Sequence, residues 1–247
     1  MTRRTGLTAI AMAICGLAIC AGLAFARGKT FTNSGFERNS FQGWQTKQDS
    51  DSGRFVVYKG TPTIASFFDT NMRGIDPENP TLRKPRRGKY AAASVQTGAG
   101  SRFLFRTLNL KPQTKRKLSF VFAYDNYGGG FVNPEPDTLH ANSALPPRTR
   151  SYGSGSVGRG FPVGNQQYRV DVMRKQAGAY SIEQSDVLKP LLASHAGDPD
   201  TSGAWKRYSF NLSSLPPGKV KLRVTDVDTN GFLTVYFDAL KLTQDPK

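Results

Sequence analysis

Two carboxylates stand in apolar company at opposite ends of the chain: Glu37 among Phe36, Phe41 and Trp44, and Asp238 inside the run from Phe232 to Leu242. A carboxylate in such a setting needs a partner. An Arg or Lys side chain would serve, and so would the backbone amides of a turn. Asp226, Asp228, Asn230 and Gly231 reproduce the first half of a calcium loop, but its twelfth position, where a chelating Glu belongs, is Phe237. A hairpin turn at 229–231 explains the same residues, because Asn-Gly tolerates positive φ.

Residues for catalysis are few. The histidines are His140 and His195, and both cysteines, Cys15 and Cys20, lie in the first 26 residues. There is no Gly-x-Ser-x-Gly elbow and no His-Glu-x-x-His, which removes the best-marked hydrolase and metalloprotease readings. Gly153 to Gly158 fits a dinucleotide-binding pattern in letters but sits in a Gly-rich stretch with no strand before it and no helix after it. The residue set favours a binding protein over an enzyme.

Binding is better provided for. Tyr124, Tyr127, Phe131, Tyr152 and Trp205 offer flat rings on which a sugar can stack, and Asp125 and Asn126 offer polar groups that fix hydroxyls. Tyr124, Asp125, Asn126 and Tyr127 are contiguous, closing one strand-like run and opening a long loop. Trp205 opens an apolar run and is equally suited to a core. Arg83, Lys84, Arg86, Arg87 and Lys89, with Lys111, Lys115, Arg116 and Lys117, extend such a face towards a charged polymer or simply solvate loops.

The elements that must position these residues read as strands. Apolar alternation marks 54–58, 90–95, 102–110, 117–124, 167–173, 205–212, 219–224 and 232–242, with Gly- and Pro-containing turns between them. A short helical piece is expected within 182–194, where Pro190 argues against a long one. Two stretches break the rhythm: 70–89, rich in proline and charge, and 126–165, a Gly- and Pro-rich insertion.

Asn33, Gly35, Phe36 and Glu37 followed by Phe41, Gly43 and Trp44, together with the closing Phe237, Asp238, Leu240 and Leu242, resemble the first and last strands of carbohydrate-binding modules of the galactose-binding-like jelly-roll superfamily, the cellulose- and xylan-binding type. The runs 104–112, 117–124 and 205–212 resemble its central and penultimate strands. The resemblance implies an all-β jelly-roll sandwich. It also implies a structural calcium tied by Glu37 and Asp238, and a carbohydrate ligand.

Length and composition agree with one β-sandwich domain over 27–247, the insertion included. Residues 1–26 have the form of a cleaved signal peptide: Arg3 and Arg4, an apolar run to Leu23, then Ala24-Phe25-Ala26. The expectation is therefore a secreted or periplasmic protein whose mature part spans no membrane and holds no disulfide. The chain carries 34 Lys and Arg against 18 Asp and Glu, a net charge of +16, or +14 once Arg3 and Arg4 are removed. Such charge attracts polyanions, a polysaccharide or other envelope polymer above all, and nucleic acid only non-specifically. The leading expectation is a non-catalytic carbohydrate-binding protein favouring anionic glycans. The alternatives are an envelope or extracellular interaction or matrix protein and, third, a polysaccharide-degrading enzyme.

Overall fold

Alternating apolar side chains can bury one face of a strand, and the described residues form ten strands in two stacked sheets, most of which do so. The computed structural model describes residues 31–68, 80–134, 137–141 and 164–246. The expected signal peptide 1–26, both cysteines, Tyr152, the Gly153–Gly158 pattern and much of the two long loops lie outside the described residues.

In chain order the strands are β1 (Gln45–Gln48), β2 (Gly53–Lys59), β3 (Tyr90–Gln96), β4 (Gly100–Leu110), β5 (Thr114–Asn126), β6 (Gln167–Arg174), β7 (Val187–Ala193), β8 (Lys206–Asn211), β9 (Gly218–Asp228) and β10 (Leu233–Pro246). One sheet runs β1-β4-β9-β6-β7 and the other β2-β3-β10-β5-β8, with antiparallel pairing throughout. Consecutive strands cross between the sheets, as β8, β9 and β10 do, and the result is a jelly-roll β-sandwich. No helix among the described residues is long and apolar enough to cross a membrane.

The core lies between the sheets. In β10, Leu233, Val235 and Phe237 face inward with Leu118, Phe120 and Phe122 of β5, so Tyr236 and Asp238 face out from the second sheet. That outer face is itself covered. Ile64 in a short 3-10 turn, Leu82, Phe67, Phe68 and Trp205 pack over Val56, Ala91, Ala93, Ala123 and Tyr236. The segment 80–89 thus lies as a strap across the sheet, which fixes where its basic residues emerge.

Three expectations are corrected. The segment 33–44 contains no strand: it is a chain of turns with positive φ at Asn33, Phe36, Asn39 and Gly43, and it delivers Phe36 and Trp44 to the core as a stacked pair 5.1 Å apart. It does meet the last strand, through Trp44 against Phe237 at 5.6 Å and the Leu240 amide donating to Ser34 O at 3.1 Å. The turn at 229–231 is not a hairpin, because β9 and β10 belong to different sheets. Asn230 and Gly231 keep φ out of the left-handed region. The expected helix within 182–194 is largely strand β7, an edge strand that tolerates Pro190 because an edge residue has one side free of partners.

One end of the core is polar. Arg102, fully buried, lies 3.4 Å from Asp226 and 3.1 Å from Asp228. Burial pushes the Asp226 carboxyl well up and raises Asp228 to about 6.

Candidate functional site

The strap is held at its start by a charged network. Arg83 donates to Asp125 through Nε at 2.7 Å and through Nη2, to Thr201 Oγ1 at 2.6 Å and to Gly203 O at 2.8 Å. Tyr58 OH donates to Arg83 O at 2.6 Å, and Tyr236 lies under the guanidinium at 5.6 Å. Paired Arg–carboxylate forks of this kind are geometrically specific. Their effect here is to fix the chain just before Lys84, Arg86 and Arg87.

At its other end the strap is held by the two carboxylates singled out in the sequence. Asp238 Oδ2 accepts the Arg87 amide at 3.2 Å and its Oδ1 accepts the Ala239 amide at 2.6 Å. Both oxygens of Glu37 accept the Lys89 amide, at 3.1 and 2.9 Å. Gly88 is required between these amides: its φ is +65°, and a Cβ there would stand 2.0 Å from Glu37 Oε1. At Gly35 the constraint is space rather than torsion, since a Cβ would meet Asp238 Oδ1 at 3.2 Å and Glu37 Oε1 at 3.9 Å.

Glu37 and Asp238 therefore face one small region from the two chain ends. Asp238 is fully buried, and neither carboxylate makes an ion pair with a described Lys or Arg. Burial, with the Glu37 charge adding to it, raises Asp238 to about 7. Two hard oxygen donors whose charges oppose each other fit a divalent cation, which would reverse the cost of ionising Asp238. Among the described residues there is no third acidic, His or Cys side chain to join them, so the other ligands would be carbonyls and water.

Between strap and sheet lies a cavity of about 310 Å³ lined by Arg86, Arg87, Val121, Trp205 and Arg207. The strand register explains it. Asp238 of β10 stands opposite Val121 of β5, which stands opposite Arg207 of β8, so the three side chains form a row on the outer face. Val121 is the floor. Arg207 flanks it from the edge strand, and Arg86 and Arg87 approach from the strap. The Trp205 indole packs against Tyr236 at 5.6 Å, and its Nε1–H donates to Lys84 O at 3.0 Å, which fixes the ring as a wall. Among the described residues, none of the three cavity arginines makes an ion pair, although the Asp238 carboxylate is near enough to act on Arg87, whereas Arg83, Arg102, Arg169 and Arg223 each hold an aspartate.

The contiguous sequence candidates do not assemble into an open platform. Tyr124 is buried against Tyr168 and Phe131, with ring centroids 4.8 and 5.4 Å away. Asp125 is committed to Arg83. Asn126 is buried, donating to Asp200 Oδ1 at 3.1 Å and accepting from Gln166 Nε2 at 2.8 Å. Tyr127 is 51% exposed. Trp205 alone of the five lines the cavity. Of the basic residues, Arg116 is buried against carbonyls of the 213–216 turn, and only Arg86 and Arg87 reach the site. His140 stacks on Tyr180, with centroids 3.8 Å apart. Arg207 was not anticipated, although it stands two residues after Trp205, the residue that leads into β8, and both line the cavity.

No protein-family model and no curated protein sequence matches the chain. Among solved structures it is similar to TmCBM61 in complex with beta-1,4-galactotriose, with 14% identity over 87% of this chain and 97% of that one and a TM-score of 0.45. It is also similar to the Stig cyclase Fisc from Fischerella sp. TAU, with 19% identity, 87% and 96% coverage and a TM-score of 0.44. A third is the K1 cleaved adhesin domain of Lys-gingipain from Porphyromonas gingivalis W83, with 13% identity, 87% and 98% coverage and a TM-score of 0.43. These likenesses concern the fold alone.

Proposed function

We propose that this is an exported, non-catalytic glycan-binding protein, secreted or periplasmic, whose site is the cavity between the strap and β8 and whose preference is for anionic glycans. The observation that carries the reading is the set of three arginines, Arg86, Arg87 and Arg207, gathered around an indole wall and a Val121 floor, none of them in an ion pair among the described residues. Guanidiniums fork onto carboxylate, sulfate and phosphate oxygens. A fixed indole offers its face to the apolar side of a pyranose. The leader-like residues 1–26 support export.

Glu37 and Asp238 serve this site from beneath. Calcium held between them would tie the first segment to the last strand and keep the strap in place. The role is structural, since the hydrogen bonds that join both carboxylates to the strap come from its backbone amides.

A panel of neutral and acidic polysaccharides, screened with the full chain at about 0.15 M salt, tests the reading. It predicts retention by acidic glycans that Arg207→Ala weakens. Retention by neutral glycans alone, or by none, contradicts it.

A further inference from the structure

The charge within the cavity is more specific than its sign. We infer that the unit it takes is a sugar bearing a doubly charged oxyanion, a phosphate monoester on a single ring; this rests on the glycan-binding reading above and narrows it.

Three observations lead there. The first is stoichiometry: three arginines line one cavity, and none makes an ion pair with a described acidic side chain. A carboxylate brings one charge and two oxygens, which leaves about two of the three positive charges unbalanced. A phosphate monoester brings a charge of about −1.5 to −2 and three terminal oxygens, which leaves about one.

The second is direction. Arg86 and Arg87 come from the strap and Arg207 from β8, across the Val121 floor. A tetrahedral group can be gripped from both sides, while a planar carboxylate offers its oxygens in one plane.

The third is size and apolar surface. About 310 Å³ lies at the small end of ligand pockets, which suits one ring and its substituent rather than a run of polymer. Trp205 is held in place by its bond to Lys84 O and lines the cavity, so it presents apolar surface to a ring. A bare ion would leave that wall and the Val121 floor without purpose. The site therefore reads a terminal or branching phosphorylated sugar.

Isothermal titration of the full chain at about 0.15 M salt tests this with five probes: glucose 6-phosphate, glucose 6-sulfate, glucuronate, glucose and inorganic phosphate. Glucose 6-phosphate is expected to bind at least about tenfold more tightly than the sulfate or glucuronate, one additional charge-assisted contact being worth that much. Glucose and inorganic phosphate should bind more weakly still. Arg207→Lys, which keeps charge and fold but loses the fork, should reduce glucose 6-phosphate affinity more than glucuronate affinity. Trp205→Ala should reduce glucose 6-phosphate affinity and leave inorganic phosphate unchanged. Equal binding of glucuronate and glucose 6-phosphate overturns the two-charge inference and leaves the anionic-glycan reading standing. Inorganic phosphate binding as tightly as the sugar ester overturns the sugar component. No binding of any acidic sugar overturns both readings.

Discussion

Arg87 donates its backbone amide to Asp238 Oδ2 at 3.2 Å while its side chain lines the cavity between strap and sheet. One residue thus joins a buried carboxylate to the proposed binding surface. The state of Asp238, ionised, protonated or bound to a cation, acts on the strap's position and on the local potential together.

Calcium should stabilise the protein through Glu37 and Asp238. At a calcium concentration about 100 times its Kd, linkage gives about 2.7 kcal/mol, or a rise in Tm of roughly 5–10 °C for a domain of this size. Thermal melts in calcium and in chelator measure it. The rise should vanish in Asp238→Asn and shrink in Glu37→Gln, and a wild-type melt indifferent to chelator would sink the cation site.

The polar end of the core sets a pH dependence. Burial raises Asp228 from 3.8 to about 6, so the folded protein binds this proton more tightly than the unfolded chain. The resulting stability is fully present below the unfolded value and is lost as pH rises through about 6. Stability from urea unfolding should therefore rise between pH 7 and pH 5, Asp228 contributing on the order of 1–2 kcal/mol and Asp238, raised to about 7, adding to it with the same sign. Asp228→Asn should reduce the rise without abolishing it. A midpoint that falls over this interval contradicts the assignment.

Loss of the strap's anchor should be felt twice. Asp125→Ala leaves the Arg83 guanidinium, whose side chain is 16% exposed, without its carboxylate. Removing such a partner costs about 1–3 kcal/mol. Because Arg86 and Arg87 follow on the same strap, affinity for an acidic glycan should fall as well, although Asp125 does not line the cavity. Unchanged affinity in a destabilised Asp125→Ala would mean that the strap is positioned by other contacts.

Phe36 is fully buried, stacked on Trp44 and edge-on to Phe41. Phe36→Ala should cost about 3–5 kcal/mol in urea unfolding, a loss below about 1 kcal/mol being incompatible with its place in the core.

The sequence conveyed the strands with inward apolar alternation, β2 to β6 and β8 to β10, because period-two burial is written directly in residue types. It concealed β1, whose four residues, Gln45 to Gln48, are all exposed, and β7, where Pro190 and short apolar spacing resemble a broken helix. The opening motif correctly tied the two chain ends, but positive φ at Asn33, Phe36 and Asn39 is set by tertiary contacts that local letters do not record. Trp205, Arg86 and Arg87 were visible as chemistry. Their meeting with Arg207 depends on a strap lying across a sheet and on the β5–β8 register, neither of which spacing can supply. Tyr124 and Asp125 were legible as residue types, whereas the core around Tyr124 and the Arg83 pair of Asp125 depend on tertiary contacts.

The central claim is that the cavity beside Trp205 is where an acidic sugar binds. The chain has two tryptophans: Trp205 at the cavity, and Trp44 buried in the core, which serves as an internal reference. Titration of the ¹⁵N-labelled protein with trigalacturonate, following the two indole N–H resonances, reads the site directly. The account predicts that the Trp205 resonance shifts saturably at about 0.15 M salt while Trp44 stays in place, and that Arg207→Ala abolishes the shift. Saturable binding that leaves Trp205 unmoved would contradict it.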